Sequence, residues 1–333
     1  MPNGTIMPHT FLKRLAIRHA EKTSCLALAG EFGGDVCLGK NRDRNYVPPL
    51  SVNHLEVDGT EVCILLDHFT QWVEGMNEHG VGFVNSTLDG RADESEKDRI
   101  EEDRHIPVGP RLLRALALKT PREMAEQIGN VIELEGQSFV GNAEEIYWIE
   151  KSPWTPAQII RLDPKNYEVR SNNGVIDPNA GYTDGRPGAG SVARGELAWT
   201  ALREVDDPLE IMPALAHRPH GQYSDYNAFR DAPTAKTLRT QSQMVCNLTQ
   251  KEILLYLCPG KIDWHGVRNQ LGREPKIKVR VFEYDETDPI NPSSSLVSDN
   301  YLKGKTSKGL TASDDDIVEA LMAHRFISRY SKA

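Results

Sequence analysis

Apolar positions along this chain fall in short runs separated by turn residues, with four predicted helices among them. Residues 24–30 and 36–43 are apolar runs around Gly33-Gly34-Asp35, the signature of a β-hairpin. Both runs are apolar on successive residues, so both faces of the hairpin should be covered. Tyr46-Val47-Pro48-Pro49-Leu50 breaks the strand. Residues 61–66 follow as a β-rich run, and 71–76 and 81–85 flank an Asn77-Glu78-His79-Gly80 turn as a second hairpin. Residues 91–104 are dense in charge and read as a surface loop or exposed helix. Helical spacing then covers 108–119. Thr120-Pro121-Arg122-Glu123 opens a second helix to about residue 132, with a Thr cap, Pro in the first turn and Glu three after the cap. Strands are predicted at 145–150, 157–162 and 167–171, then a helix from Ser191 through Arg203. A strand pair at 237–247 and 252–257 and a strand at 276–283 complete this part. Residues 285–313 are rich in Pro, Ser and Asp and read as a linker. Ser313-Asp314-Asp315-Asp316 caps a final helix to about Arg329, its acids at the positive end of the dipole.

The length of 333 residues allows one large domain or two small ones. The net charge of −9 and the lack of a basic stripe argue against a nucleic-acid surface. No apolar run is long enough to span a membrane, and residues 1–24 have no signal-peptide core, which points to the cytoplasm. Five cysteines with no CxxC pair read as free thiols. His217 and His220 are three apart, but Pro219 between them spoils a helical face, so neither a metal nor another cofactor is expected.

The first hairpin carries the candidate chemistry. If its turn centres on Gly34, Cys25 lies across from Asp43, with Lys40, Asn41 and Arg42 close by. Cations beside a cysteine favour the thiolate, its reactive form. The plainer alternative is a buried structural thiol at Cys25 and a hairpin-end carboxylate at Asp43 paired with Arg42 or Arg44. Cys37, Cys63, Cys246 and Cys258 lie in or beside apolar runs and read as core.

Gly39-Lys40-Asn41-Arg42-Asp43 resembles the Gly-Arg-Asn-x-Asp segment of the cysteine-type N-terminal-nucleophile hydrolases: choloylglycine hydrolase, penicillin V acylase and the acyl-CoA:6-aminopenicillanic acid acyltransferase family. Lys40 stands where those families usually have Arg, which keeps the charge and loses the bidentate fork. Residues 75–82 resemble their Met-Asn-Glu-x-Gly-Leu segment, Arg170-Ser171-Asn172-Asn173 their Thr-Asn-His or Thr-Asn-Ser segment, and Ser191-Val192-Ala193-Arg194 their Ser-x-x-Arg element. The resemblance covers roughly residues 25–260. It implies an α/β four-layer αββα sandwich of two stacked antiparallel sheets flanked by helices. It also implies a leader or propeptide at 1–24, a catalytic domain at 25–284 and a C-terminal linker and helix at 285–333.

Carried over residue by residue, the resemblance implies Cys25 as nucleophile after autoproteolysis frees its α-amine as base, with Asp43 orienting that amine. It implies Asn173, with Asn172 next, as oxyanion donor. Asn85, with Ser86 in reserve, would stand beside the site, and Lys40 and Arg194 would favour the thiolate or bind a polar part of the substrate. The implied activity is hydrolysis of a small N-acyl amide through a cysteine thioester, or acyl transfer from the same thioester. Relatives of the choloylglycine type often assemble as homotetramers, which makes a homo-oligomer the expectation. The transport-and-Golgi-organisation family is a second resemblance, through Asn41-Arg42-Asp43. A third reading is a non-catalytic binding or assembly protein that keeps its leader.

Overall fold

A computed structural model describes residues 23–88, 108–131, 134–152, 155–177, 182–183, 186–187, 189–216, 219–220, 227–230, 238–258 and 260–284. The expected leader, the charged stretch 91–104 and the C-terminal linker and helix lie outside the described residues, apart from Thr23 and Ser24.

In chain order the strands are β1 Thr23–Phe32, β2 Asp35–Arg44, β3 Pro49–Val57, β4 Thr60–Asp67, β5 Trp72–Asn77 and β6 Gly82–Ser86. Helices α1 Val108–Leu116 and α2 Pro121–Gly129 follow, then β7 Gly136–Gly141, β8 Ile146–Lys151, β9 Gln158–Leu162 and β10 Glu168–Arg170. A short ribbon of β11 Tyr182–Thr183 and β12 Arg186–Pro187 precedes α3 Ala189–Ala201 and α4 Ile211–Leu215. The chain then forms β13 Arg239–Asn247, β14 Glu252–Leu257, β15 Asp263–Asn269 and β16 Lys278–Glu283.

Two sheets stack face to face. One has six strands in the order β10-β1-β2-β13-β14-β16, the other eight in the order β15-β3-β4-β5-β6-β7-β8-β9. Alternation along each strand divides the buried residues among three layers of contact. Ala27, Ala29 and Leu38 from one sheet meet Val52, Cys63, Met76 and Phe139 from the other. Ile64, Phe83 and Val140 pack outward on α1 and α2 through Leu112, Leu116, Met124 and Ile128. Leu26, Leu28, Val245 and Leu254 pack outward on α3 and α4 through Ala198, Met212 and Leu215. The result is the expected αββα sandwich. The sheets are mixed rather than wholly antiparallel, because β16 joins β14 and β15 joins β3 in parallel, each at a sheet edge.

The sequence pattern missed the short β11/β12 ribbon, α4 and the longer strands β3, β7 and β15, and for the longer strands each omission has a cause. β3 opens on Pro49 and buries Ser51, Asn53 and His54, so it shows neither a clean apolar run nor alternation. β7 begins and ends on glycine, and β15 is a half-exposed edge strand. The cap at Thr120 is as expected: its side chain accepts from the Glu123 N–H, and α2 ends at Gly129.

The first hairpin differs from its expected register by one residue. Phe32 pairs with Asp35, which leaves a two-residue turn of Gly33 and Gly34 with φ of 61° and 87°. Two successive positive φ values are the type I′ geometry that matches strand twist. Cys25 therefore pairs with Arg42, and Asp43 pairs with Ser24. A one-residue slip exchanges the two faces of a strand. Cys25 shares the inter-sheet face with Ala27, Lys40, Arg42 and Arg44, while Asn41 and Asp43 share the α3/α4 face with Leu26.

The turn gives a graded test. A Cβ on Gly34 would meet nothing within 4 Å, whereas one on Gly33 would sit 1.8 Å from the Asp206 carbonyl oxygen. Gly34→Ala should cost about 1–2 kcal/mol of stability, the left-handed penalty alone. Gly33→Ala should cost clearly more in urea unfolding, because backbone must also move; equal losses would contradict this turn.

Candidate active site

Strand β2 puts three cations on one buried face. Lys40, Arg42 and Arg44 alternate along it, each no more than 4% exposed. Burying a charge is tolerated only with a partner. Glu74, buried in β5, supplies the first. Lys40 Nζ lies 2.9 Å from its Oε1 and 2.8 Å from its Oε2, and Arg42 Nη2 donates to the same Oε1. Asp67, the last residue of β4, lies 3.6 Å from Arg42 Nη1 and accepts the Tyr46 hydroxyl at 2.9 Å. Burial alone would raise the Glu74 carboxyl, but Arg42 and Lys40 hold it below its ordinary value.

Arg44 is the third cation, and its contacts differ. Its Nη1 donates to the Asp43 carbonyl at 2.8 Å and to Cys25 Sγ at 3.4 Å. Cys25 is 1% exposed. Burial pushes its thiol up, but Lys40 and Arg44 outweigh that and hold it below the ordinary cysteine value. Cys37, Cys63 and Cys246 are buried as well, and burial drives all three upward. Among the described residues, Lys40, Arg42 and Arg44 share this face with two carboxylates, Glu74 and Asp67, and a thiolate at Cys25 would balance the third charge.

The backbone of Cys25 is held by a second group of residues. Its N–H donates to Asn172 Oδ1 at 3.2 Å, and its carbonyl accepts from Ser86 Oγ at 3.0 Å. Arg194 Nη2 donates to that same Asn172 oxygen at 3.0 Å. The Asn172 amide NH2 points to Ser86 Oγ at 3.3 Å and to the Thr87 carbonyl. Asn172 thus joins β1, the end of β6 and helix α3 around one peptide bond, Ser24–Cys25.

These placements revise several expectations. Asn173 is turned to Ser171 and Ser191, whose hydroxyls donate to its Oδ1 at 2.8 and 3.2 Å, so Asn172 takes the place beside Cys25. Asn85 donates to Ser138 at 2.9 Å on the face opposite Val84, and the neighbouring Ser86 reaches the site instead. Lys40 is near the thiol and bonded to Glu74. Asp43 lies on the α3/α4 side, accepting from Thr240 Oγ1 at 2.8 Å, with Arg230 Nε at 3.7 Å. Burial lifts its carboxyl above the ordinary value, and Arg230 and Arg194 offset that only in part. Arg194 stands at the site, through Asn172.

Glu74, Asp67, Arg44 and Tyr46 carry no short-range signature of the site. One signal does exist: Lys40, Arg42 and Arg44 recur at period two in a strand read as covered on both faces, which demands buried acids nearby. Nothing in the local pattern says that Glu74 is one of them.

Next to Asn172, the loop 173–177 is pinned by one carboxylate. Glu150 accepts the backbone N–H groups of Val175, Ile176 and Asp177 at 2.7, 2.8 and 2.6 Å. A cleft of about 560 Å³ opens on the outer side of this segment, lined by residues that include Arg170, Ser171, Asn173, Val175 and Trp199. Among the described residues no group of three or more His, Cys, Asp and Glu side chains is arranged to hold a metal ion. No described helix is long and apolar enough to cross a membrane.

No family model and no curated protein matches this chain. Among solved structures, it is similar to a mutant of conjugated bile acid hydrolase from Clostridium perfringens, at 15% identity and a TM-score of 0.40, over 68% of this chain and 87% of that one. It is also similar to penicillin V acylase from Agrobacterium tumefaciens, at 11% identity and a TM-score of 0.36, over 72% of this chain and 87% of that one. These are loose overlaps.

Glu74→Gln should be among the most damaging single changes, because it leaves Lys40 and Arg42 buried without their shared partner. A loss of about 3–5 kcal/mol is expected by chemical denaturation. The Glu74 carboxyl is lowered by folding, so its contribution is complete above its unfolded pKa of about 4.3 and disappears as pH falls through the lower folded value. The stability gap between wild type and Glu74→Gln should therefore close on acidification; a gap independent of pH would contradict the ion-pair account.

Proposed function

We propose that this chain is an amide hydrolase that works through a thioester on Cys25, with the α-amine of Cys25 as its base once the bond to Ser24 is cut. The observation that carries this reading is the double hold on Cys25. Its sulfur is kept toward thiolate by Arg44 and Lys40, and its peptide nitrogen is fixed by Asn172.

The same atoms serve both steps. In the first, the Cys25 thiolate attacks the Ser24 carbonyl carbon. The C–N bond breaks, the nitrogen takes a proton and becomes the α-amine, and the acyl group passes to sulfur. Water then hydrolyses that thioester and releases residues 1–24 with a free carboxylate. In the second, Cys25 attacks the carbonyl of an N-acyl amide, and the leaving amine takes its proton from the α-ammonium. Water, activated by the α-amine, opens the second thioester.

An α-amine has a reference pKa of about 7.7–8.0, suited to proton exchange near neutrality. Asn172 Oδ1 would continue to accept from this nitrogen. Arg194, sharing that oxygen, puts a positive charge close by and favours the neutral, basic form of the amine. Arg194 and Asn172 thus act by positioning and poising the base. The Asn172 amide NH2 is a candidate donor to the oxyanion, on exchanging Thr87 or Ser86 for substrate.

The test is a panel of small N-acyl amides incubated with wild type and Cys25→Ala. Wild type should release the amine and, on acid quench, show a mass gain equal to the acyl group on Cys25; the variant should show neither. Equal turnover by both proteins would remove Cys25 from the chemistry.

A further inference from the structure

Arg44 lies outside every motif that the sequence singles out, and yet it touches the sulfur. It is 4% exposed and shares Nη1 between the Asp43 carbonyl and Cys25 Sγ. Its Nε is buried and makes no hydrogen bond among the described residues. A buried guanidinium beside a sulfur gains most when that sulfur is an anion, because the hydrogen bond then joins two opposite charges.

The two cations nearest the thiol differ in kind. Lys40 is tied to both oxygens of Glu74, and burial pulls its ammonium below its ordinary value. Burial would also lower Arg44, but Cys25, Tyr46 and Asp67 reverse this, and a guanidinium stays charged throughout the accessible range. The described charged groups around Cys25 are Lys40, Arg42, Asp43 and Arg44 on β2, Glu74 on β5, Asp67 on β4 and Arg194 on α3, with Arg230 and Arg239 beyond Asp43 and Arg44.

We propose that Arg44 is a catalytic residue that donates to Cys25 Sγ and holds it as a thiolate, whether or not the Ser24–Cys25 bond has been cut. Ionisation passes the thiol proton to solvent and changes no other covalent bond. The α-amine is then needed for proton transfer in the later steps, and not to make the nucleophile. This rests on the reading of Cys25 as nucleophile, but it is a statement about the sulfur at rest.

It is tested without substrate, by following thiolate ultraviolet absorbance against pH in the purified full chain, with the state of the N-terminus read by intact mass. Subtracting the Cys25→Ala curve isolates Cys25. Wild type should show a midpoint below the ordinary cysteine value of about 8.5. Arg44→Met should raise that midpoint by about one pH unit or more, which is about tenfold less thiolate at a given pH. Arg44→Lys should fall between the two. An Arg44→Met midpoint equal to wild type overturns the proposal. If the Met variant does not fold, Arg44→Gln replaces it: a raised midpoint supports the proposal and an unmoved one overturns it. A low, Arg44-dependent midpoint in a protein that cleaves no amide would leave this inference standing and the functional reading fallen. Amide cleavage with an unmoved midpoint would do the reverse.

Discussion

Three cations buried on one face of a β-strand impose the constraint from which the rest of the site follows. Lys40, Arg42 and Arg44 come from water into the layer between two sheets, and unpaired they would outweigh the net stability of a fold. Strands β4 and β5 answer with Asp67 and Glu74, both fully buried. Neighbouring positions on these strands are apolar and form the inter-sheet core. Among the described residues, two acids for three bases leave one charge over, and the atom beside that charge is the sulfur of Cys25. Fold and chemistry are linked through this imbalance: the packing that closes the sandwich also holds the Cys25 thiol below its ordinary value.

The second constraint is geometric. Cys25 sits within a ladder in which Thr23 and Ser24 continue the strand and pair with Arg44 and Asp43. The peptide bond at Ser24–Cys25 is therefore held from several sides: the β2 ladder, Asn172 on the nitrogen and Ser86 on the Cys25 carbonyl. Asn172 is held in turn by Arg194 and by the Ser191 hydroxyl, both at the start of α3. A helix on the outer face thereby sets the position of a bond inside the sheet. Glu150 fixes the loop that follows, so the segment carrying Asn172 has an anchor on each side.

Much of the architecture was legible in local pattern. The two hairpins, the Thr120 cap and the strand runs at 252–257 and 278–283 rest on period, turn chemistry and capping, which act within a few residues. What local pattern could not reach depends on partners far along the chain. The polar strand β3 is a strand because β4 and β15 flank it. The choice between Asn172 and Asn173, or Asn85 and Ser86, is one of facing, and facing flips with each residue. The same sensitivity explains the hairpin: a turn centred on one residue and a turn of two residues differ by half a pair. That difference moves Asp43 from the thiol's face to the opposite one. The cluster of Arg44, Glu74 and Asp67 was half visible, as cations at period two, and its acids were hidden in apolar strands further along the chain.

Intact-mass spectrometry of the purified chain is the direct test of the proposed cleavage of the Ser24–Cys25 bond by Cys25. Wild type should lack residues 1–24 and begin at Cys25, while Cys25→Ala, expressed and purified in parallel, should keep them. If both proteins retain the leader, no α-amine forms at Cys25, and the account of its base is wrong.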